Sequence, residues 1–234
     1  MKFSVEDAVF DLLPTVFFGV VVGRGINNSG SNGQIAVMLE EAMQRAKDKF
    51  ALIKPKEHPD IQPYRRAFEK LGINPNRFPC SVEALSARIA KGGSLPAINP
   101  VVNLVNIYSL NYTLPMGAHD LDATESDILV RFSQAGDTFV PFGGGECEVP
   151  DQGELVYASG STVKTRKWIW RQSEAGKVTE NSCNFFFPID GFTDYNRDAV
   201  VKACNGLAAD IEQLLGGNVT KYFVDIDTRS ILLQ

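Results

Sequence analysis

The sequence is poor in histidine and cysteine, and these residues do not have the spacing of a metal site. Its 234 residues include 2 His and 4 Cys, and no two cysteines form a C-x-x-C pair. Structural zinc sites need clustered ligands, so we expect neither a metal nor another cofactor. A phosphate-binding G-x-x-x-x-G-K-[ST] loop, a full G-x-G-x-x-G motif and a G-x-S-x-G motif are also missing. These absences argue against nucleotide-dependent chemistry and against a Ser-His-Asp hydrolase.

Positive charge and long apolar runs are also scarce. Lys and Arg number 23 against 28 Asp and Glu, giving a net charge of −5. A protein that holds duplex DNA through a broad basic surface is therefore not expected, although a local basic patch stays open. The apolar stretch 15–22 is too short to span a bilayer, and no secretory signal is recognisable. We expect a cytoplasmic protein without a membrane or DNA partner.

Helical patterns crowd the first half of the chain and strand patterns the second. Apolar residues at helical spacing predict helices over 34–50, 63–71 and 100–110, with a shorter one after Ser81 and a long one from about 193. Apolar and alternating runs predict strands at 16–22, 128–132, 154–157, 163–170, 184–187 and 221–225. This order favours the α+β class: one domain over 1–234, with a mixed or mainly antiparallel sheet flanked by helices.

Three asparagines form the first candidate for a binding surface. Asn99, Asn103 and Asn106 are spaced i, i+4 and i+7, so a helix beginning near Pro100 aligns them on one side. An amide is both donor and acceptor without net charge, which suits a ribose, an ester or an amino acid. The alternative is that these amides fasten a neighbouring loop by hydrogen bonds. The spacing alone leaves both interpretations open.

A loop after this helix contains one of the two histidines. His119 adjoins Asp120 and precedes Asp122 by three positions. A neutral imidazole near a carboxylate can orient or deprotonate a water molecule. The alternative is a histidine packed beneath a loop, with its ring nitrogens satisfied by the backbone.

A basic and aromatic cluster at 164–172 holds both tryptophans. Cations interleaved with indole rings can contact phosphates and stack on a base or ribose. In an extended strand Lys164, Arg166, Trp168 and Trp170 share one face, and Lys167 lies on the other. The alternative is a strand whose tryptophans pack inward while the cationic heads reach water.

Taken together, these motifs resemble a known family. The segments 98–108 (INPVVNLVNIY) and 114–122 (LPMGAHDLD) resemble the signature of the editing domain, built of the B-three and B-four modules, in the beta subunit of bacterial phenylalanyl-tRNA synthetase. The likeness is clearest over 55–190 and is stronger to freestanding proteins made of this domain alone. Three positions depart from the synthetase pattern. Gly117 replaces its histidine, this chain's own histidine falls at His119, and Asn103 replaces its aspartate.

The resemblance implies a fold like that of the editing domain and hydrolysis, in trans, of a wrongly esterified amino acid from the 3′ end of tRNA. An activated ester needs no nucleophile or metal if water and ester are well oriented. The catalytic candidates are His119 and Asn103. The substrate-binding candidates are Asn99, Asn106, Asp120, Trp170 and Arg171, and the RNA-binding candidates are Lys164, Arg166 and Lys167.

Two other functions stay open at this stage. One is a non-catalytic module that binds tRNA, a free amino acid or a small metabolite, and the other is a hydrolase of a small amino-acid-like compound. A complete synthetase is not expected, because no catalytic-core sequence is recognisable. The sequence indicates no oligomeric state.

Overall fold

Ten strands in two sheets and six α-helices make up residues 1–233, the part of the chain that this computed structural model describes. The helices are α1 (Asp7–Leu12), α2 (Gly33–Lys49), α3 (Gln62–Lys70), α4 (Ser81–Ala90), α5 (Pro100–Tyr112) and α6 (Arg197–Leu215). The strands are β1 (Lys2–Val5), β2 (Val16–Arg24), β3 (His119–Asp120), β4 (Ile128–Phe132), β5 (Leu155–Ser159), β6 (Thr162–Arg166), β7 (Arg171–Gln172), β8 (Phe185–Phe192), β9 (Asn218–Val224) and β10 (Ser230–Leu232). A 3-10 turn lies at Pro55–Glu57.

The strands form a six-stranded and a four-stranded sheet. The larger has the order β10-β1-β4-β5-β6-β7, and the smaller has the order β3-β8-β2-β9. Only the β1–β4 pair is parallel among the paired strands of residues 1–233. The α+β class and the mainly antiparallel pairing are therefore confirmed, with two sheets in place of the one predicted.

The four-stranded sheet is the middle of three layers. Side chains alternate along a strand, so Phe17 and Val21 of β2 pack among α2, α5 and α6, while Phe18 and Val20 pack against the six-stranded sheet. This explains why the β2 sequence is apolar on both faces. At Gly19 an added Cβ would collide with the Cys204 sulfur of α6, so the glycine permits close approach of helix and strand.

The predicted strand over 163–170 is interrupted. β6 ends at Arg166, and Lys167 and Trp168 adopt left-handed backbone conformations, with φ values of 47° and 62°. The chain therefore turns, and β7 pairs back on β6. Because of this turn Trp168 and Trp170 do not continue one face of a strand. The predicted alternation of this segment is wrong beyond Arg166.

Candidate functional site

Two adjoining cavities lie where α5 faces the sheets. The inner cavity has a volume of about 70 Å³ and the outer groove about 440 Å³. The two share five lining residues, which are Met116, Gly117, Trp170, Arg171 and Gln172. Gln172 Nε2 donates to the carbonyl of Ala118 at 2.8 Å, which holds the segments 116–118 and 170–172 together. The arrangement gives a small cavity with a few polar side chains beside a wider groove.

His119 lines the inner cavity and is 3% exposed. Pairing of β3 with β8 places it opposite Phe186, and its ring stacks on Tyr157 with centroids 6.5 Å apart. Its Nδ1 is buried without a hydrogen-bond partner in residues 1–233. Burial, and secondarily the charge of Lys164, lowers the pKa of His119 to about 3. The imidazole is therefore neutral at pH 7 and has hydrogen-bonding capacity that the described protein does not use.

Gly117 and His119 reach the same space. Both line the inner cavity, and a Cβ added at Gly117 would lie 3.6 Å from His119 Nε2. A side chain at 117 would thus point beside the imidazole. The histidine of this chain occupies the neighbourhood into which a histidine at 117 would project, although it stands two positions later in the sequence.

Asp190 is a second polar group of the inner cavity, and sequence analysis missed it. It lies in β8, is 2% exposed, and its Oδ1 accepts hydrogen bonds from Tyr157 Oη (2.6 Å) and Trp168 Nε1 (2.7 Å). Burial raises its pKa to about 7 despite these two donors. A signal was present, because Asp190 is the one acid in the otherwise apolar run 185–192.

The outer groove is mostly apolar with a cationic rim. Its apolar lining includes Leu85, Leu95, Val102, Val105, Phe142 and Val178. Asn106 and the half-buried Trp170, two of the residues predicted to bind substrate, also line it. The cations that line it are Arg88, Arg171 and Lys177. Arg88 is exposed, and the Arg171 side chain is 42% exposed with its guanidinium 3.7 Å from Glu148. The groove therefore offers apolar contact area beside accessible positive charge.

Two of the three aligned asparagines cap the helix and do not line these cavities. Asn99 is the N-cap of α5, and its Oδ1 accepts from Val102 N at 2.9 Å. Asn103 Oδ1 accepts from Ile98 N at 3.0 Å. Both side chains are buried. The helix begins as predicted, but these amide oxygens fasten backbone, which is the alternative that the spacing had left open.

Asp120 is also directed away from the cavities. Its Oδ1 accepts from Asp122 N at 2.8 Å, and its Oδ2 accepts a short hydrogen bond from the Ser182 hydroxyl. It lines neither cavity, although it directly follows His119. Adjacent residues of a strand point to opposite faces, so only one of this pair can reach the inner cavity.

The three predicted RNA-binding cations are buried. Lys164, Arg166 and Lys167 are 4%, 8% and 6% exposed. Arg166 and Lys167 both donate to Glu154, at 2.7 and 2.8 Å, and Lys164 Nζ donates to a backbone carbonyl. The basic stretch therefore does not form a surface patch. Arg166 and Lys167 pair with Glu154 inside the protein, and this burial argues against the predicted RNA contact at the three cations.

Metal-type clusters, cysteines and long apolar helices are the remaining features considered for residues 1–233. No three His, Cys, Asp or Glu side chains there cluster in the manner of a metal site. Four free cysteines occur, of which Cys80 and Cys204 are buried and Cys147 and Cys183 exposed. No helix in this range combines the length and apolar character needed to cross a membrane.

Comparison with known proteins agrees with this architecture. Residues 63–215 match the family model described as the B3/4 domain. The fold is thus that of an α+β domain, and the chain belongs to the B3/4 domain family. The family membership predicted from the motifs is confirmed.

One solved structure that the fold resembles is an N-terminal fragment of the phenylalanyl-tRNA synthetase beta-subunit from Pyrococcus horikoshii. The TM-score is 0.47 and the sequence identity 13%, over 95% of this chain and 53% of that one. The chain thus spans about half the length of that fragment. No curated protein sequence matches this chain.

Proposed function

We propose that this protein hydrolyses the ester bond between an amino acid and the 3′ end of tRNA, acting in trans on mischarged aminoacyl-tRNA. The observation that carries the proposal is the joined pair of cavities: His119, whose buried Nδ1 has no hydrogen-bond partner in residues 1–233, lines the smaller one, and the adjoining groove is apolar with a cationic rim. The motif resemblance to a tRNA-editing domain and membership of the B3/4 domain family support the same substrate class.

The two cavities suit the two parts of such a substrate. A terminal adenosine has a flat base, and Trp170 offers an indole ring at the junction of the cavities for stacking. Arg88 and Lys177 line the outer groove and can pair with phosphates of the acceptor end. The inner cavity then receives the aminoacyl group. With the substrate bound in this way, the ester would lie near the boundary between the two cavities.

The chemistry needs only groups that this chain supplies. The neutral imidazole of His119 can accept a hydrogen bond from a water molecule and orient it toward the ester carbonyl. Ser81 and Thr165 line the inner cavity and carry hydroxyl donors for the developing oxyanion. Because an aminoacyl ester is already activated, orientation of water and ester accounts for much of the required acceleration.

The test is a release assay with a panel of aminoacyl-tRNAs labelled on the amino acid. We expect faster release from at least one mischarged tRNA, and the substitution His119→Gln should slow it on the order of 100-fold or more. The matched control is His58→Gln, which alters the other of the 2 histidines and lies outside both cavities. An unaccelerated panel, or equal loss in both variants, would contradict the proposal.

A second candidate function is retention of a free amino acid without turnover. The observation in its favour is that Lys164, Arg166 and Lys167 are buried, in a chain whose net charge is −5. Both features weaken the case for a large RNA interface. Thermal-shift measurements with free amino acids, alongside the release assay, separate the two functions. Stabilisation by an amino acid with no acceleration of release supports the binding module.

A further inference from the structure

Asp190 is a carboxylate held in place by neutral donors alone. Its Oδ1 accepts from the hydroxyl of Tyr157 and the indole of Trp168, and no hydrogen bond to Oδ2 is found within residues 1–233. Its backbone carbonyl accepts from Tyr64 Oη at 2.9 Å. Two aromatic donors and a strand backbone therefore fix the direction of this side chain. A side chain fixed in this way is suited to recognition, because little of its freedom is lost on binding.

Two other buried carboxylates have cationic partners, whereas Asp120 of the same sheet is held by a backbone N–H and the Ser182 hydroxyl. Asp137 receives two hydrogen bonds from Arg131, and Glu154 receives bonds from Arg166 and Lys167. The hydrogen bonds from these cations lower the pKa of both Asp137 and Glu154. Burial raises the pKa of Asp190 instead. Unlike Asp137 and Glu154, Asp190 therefore has no cationic hydrogen-bond partner within residues 1–233.

A cationic group of a ligand can reach Asp190 through the inner cavity. Asp190 lines the inner cavity of about 70 Å³ together with His119. His119 cannot be the counter-ion at neutral pH, since its pKa is lowered to about 3. It can, however, accept a hydrogen bond. A small ligand cation with several donors would satisfy the carboxylate and the imidazole together, and its bond to the carboxylate would be charge-assisted and therefore stronger than that of a neutral donor.

We propose that Asp190 binds the ammonium group of an amino-acid ligand, so that the site selects compounds with a free primary amine and rejects their N-acylated forms. The inference builds on the proposed function and narrows its substrate class. It makes aminoacyl-tRNA a substrate and excludes N-acylated or peptidyl-tRNA. It also applies to a free amino acid bound without turnover.

The experiment compares each proteinogenic amino-acid amide with its N-acetyl counterpart. Binding to the intact protein is measured by thermal shift and titration calorimetry, and N-acetylation of the best tRNA substrate is tested in the release assay. At least one amide should bind. N-acetylation should raise its Kd about 10- to 100-fold, the range for loss of a charge-assisted hydrogen bond. The substitution Asp190→Asn should weaken amide binding by a similar factor while retaining an oxygen for Tyr157 and Trp168.

The control variant is Asp194→Asn, an exposed acid four positions along that lies outside both cavities. Its affinity for the amide should equal that of the unaltered protein. Equal binding of amide and N-acetyl amide, or no binding of any amide, overturns the inference, and this comparison does not depend on the folding of any variant. Amine-selective binding without ester release would remove the proposed hydrolysis and leave the inference standing.

Discussion

The buried carboxyl of Asp190 should give the ligand-free protein an unusual dependence of stability on pH. An unpaired aspartate in an unfolded chain loses its proton near pH 4, whereas burial raises the pKa of Asp190 from 3.8 to about 7. Between these values the folded state holds a proton that the unfolded state has released. The free energy of unfolding must therefore fall as the pH rises through this window. The displacement of the pKa corresponds to about 4 kcal/mol.

The other groups that face Asp190 do not produce this fall. Tyr157 and Tyr64 keep their protons because burial raises the pKa of each further above 10, and Trp168 does not titrate. His119 acts in the opposite direction. Its pKa is lowered from 6.5 to about 3, so its contribution is complete above pH 6.5 and is lost as the pH falls toward 3. A direct scan of the unaltered protein would therefore show the two effects partly cancelling.

The assay is urea unfolding followed by tryptophan fluorescence, at several pH values from about 4 to 8, on the unaltered protein and on Asp190→Asn. Subtracting the two curves removes the contribution of His119 and of the surface acids. The unaltered protein should lose about 4 kcal/mol relative to the variant across this range. Asp194→Asn, an exposed site, should give a flat difference. A flat difference for Asp190→Asn, or one of opposite sign, would refute the reasoning.

Two further experiments test the roles of the groove cations and of the Asn99 side chain. Replacing both Arg88 and Lys177 with alanine should weaken tRNA binding and reduce its salt dependence. The control Lys47→Ala, at an exposed position outside both cavities, should change neither. Filter binding at several salt concentrations measures the effect, and identical salt slopes would show that Arg88 and Lys177 do not contact the tRNA. Asn99→Ala should lower the free energy of unfolding by about 1 kcal/mol through loss of the α5 cap. Its affinity for the amino-acid amide should not change. A loss of affinity without a loss of stability would show that Asn99 contacts the ligand.

Local periodicity predicted most of the fold, but not the assignment of its strands to sheets. The β2 run is apolar because it lies between a helical layer and a second sheet, and the sequence shows this as burial on both faces. The division into two sheets depends on pairings such as β1 with β10, which join opposite ends of the chain. Such contacts leave no periodic signal in either segment.

Sequence reasoning found the cavity-lining residues whose types are rare in this chain and missed those whose types are common. His119, Asn106, Trp170 and Arg171 do line the cavities, because a histidine and an aromatic-basic pair stand out in this chain. The role of Asn99 was readable from its place before Pro100, since asparagine at the N-cap followed by proline marks a helix start. The i, i+4, i+7 spacing of the asparagines does not by itself show this capping role.

The buried cations Arg166 and Lys167 support the turn that carries Trp168, a role that the sequence pattern does not indicate. Glu154 accepts hydrogen bonds from Arg166, from Lys167 Nζ and from the backbone N–H of Lys167, which holds the left-handed turn at 167–168. Non-glycine residues in this conformation cost about 1–3 kcal/mol each, so the turn needs such support. The turn directs the Trp168 indole to Asp190. Arg166 and Lys167 thus act on the ligand site through Trp168, as positioning residues, and their charges need no nucleic acid to account for them.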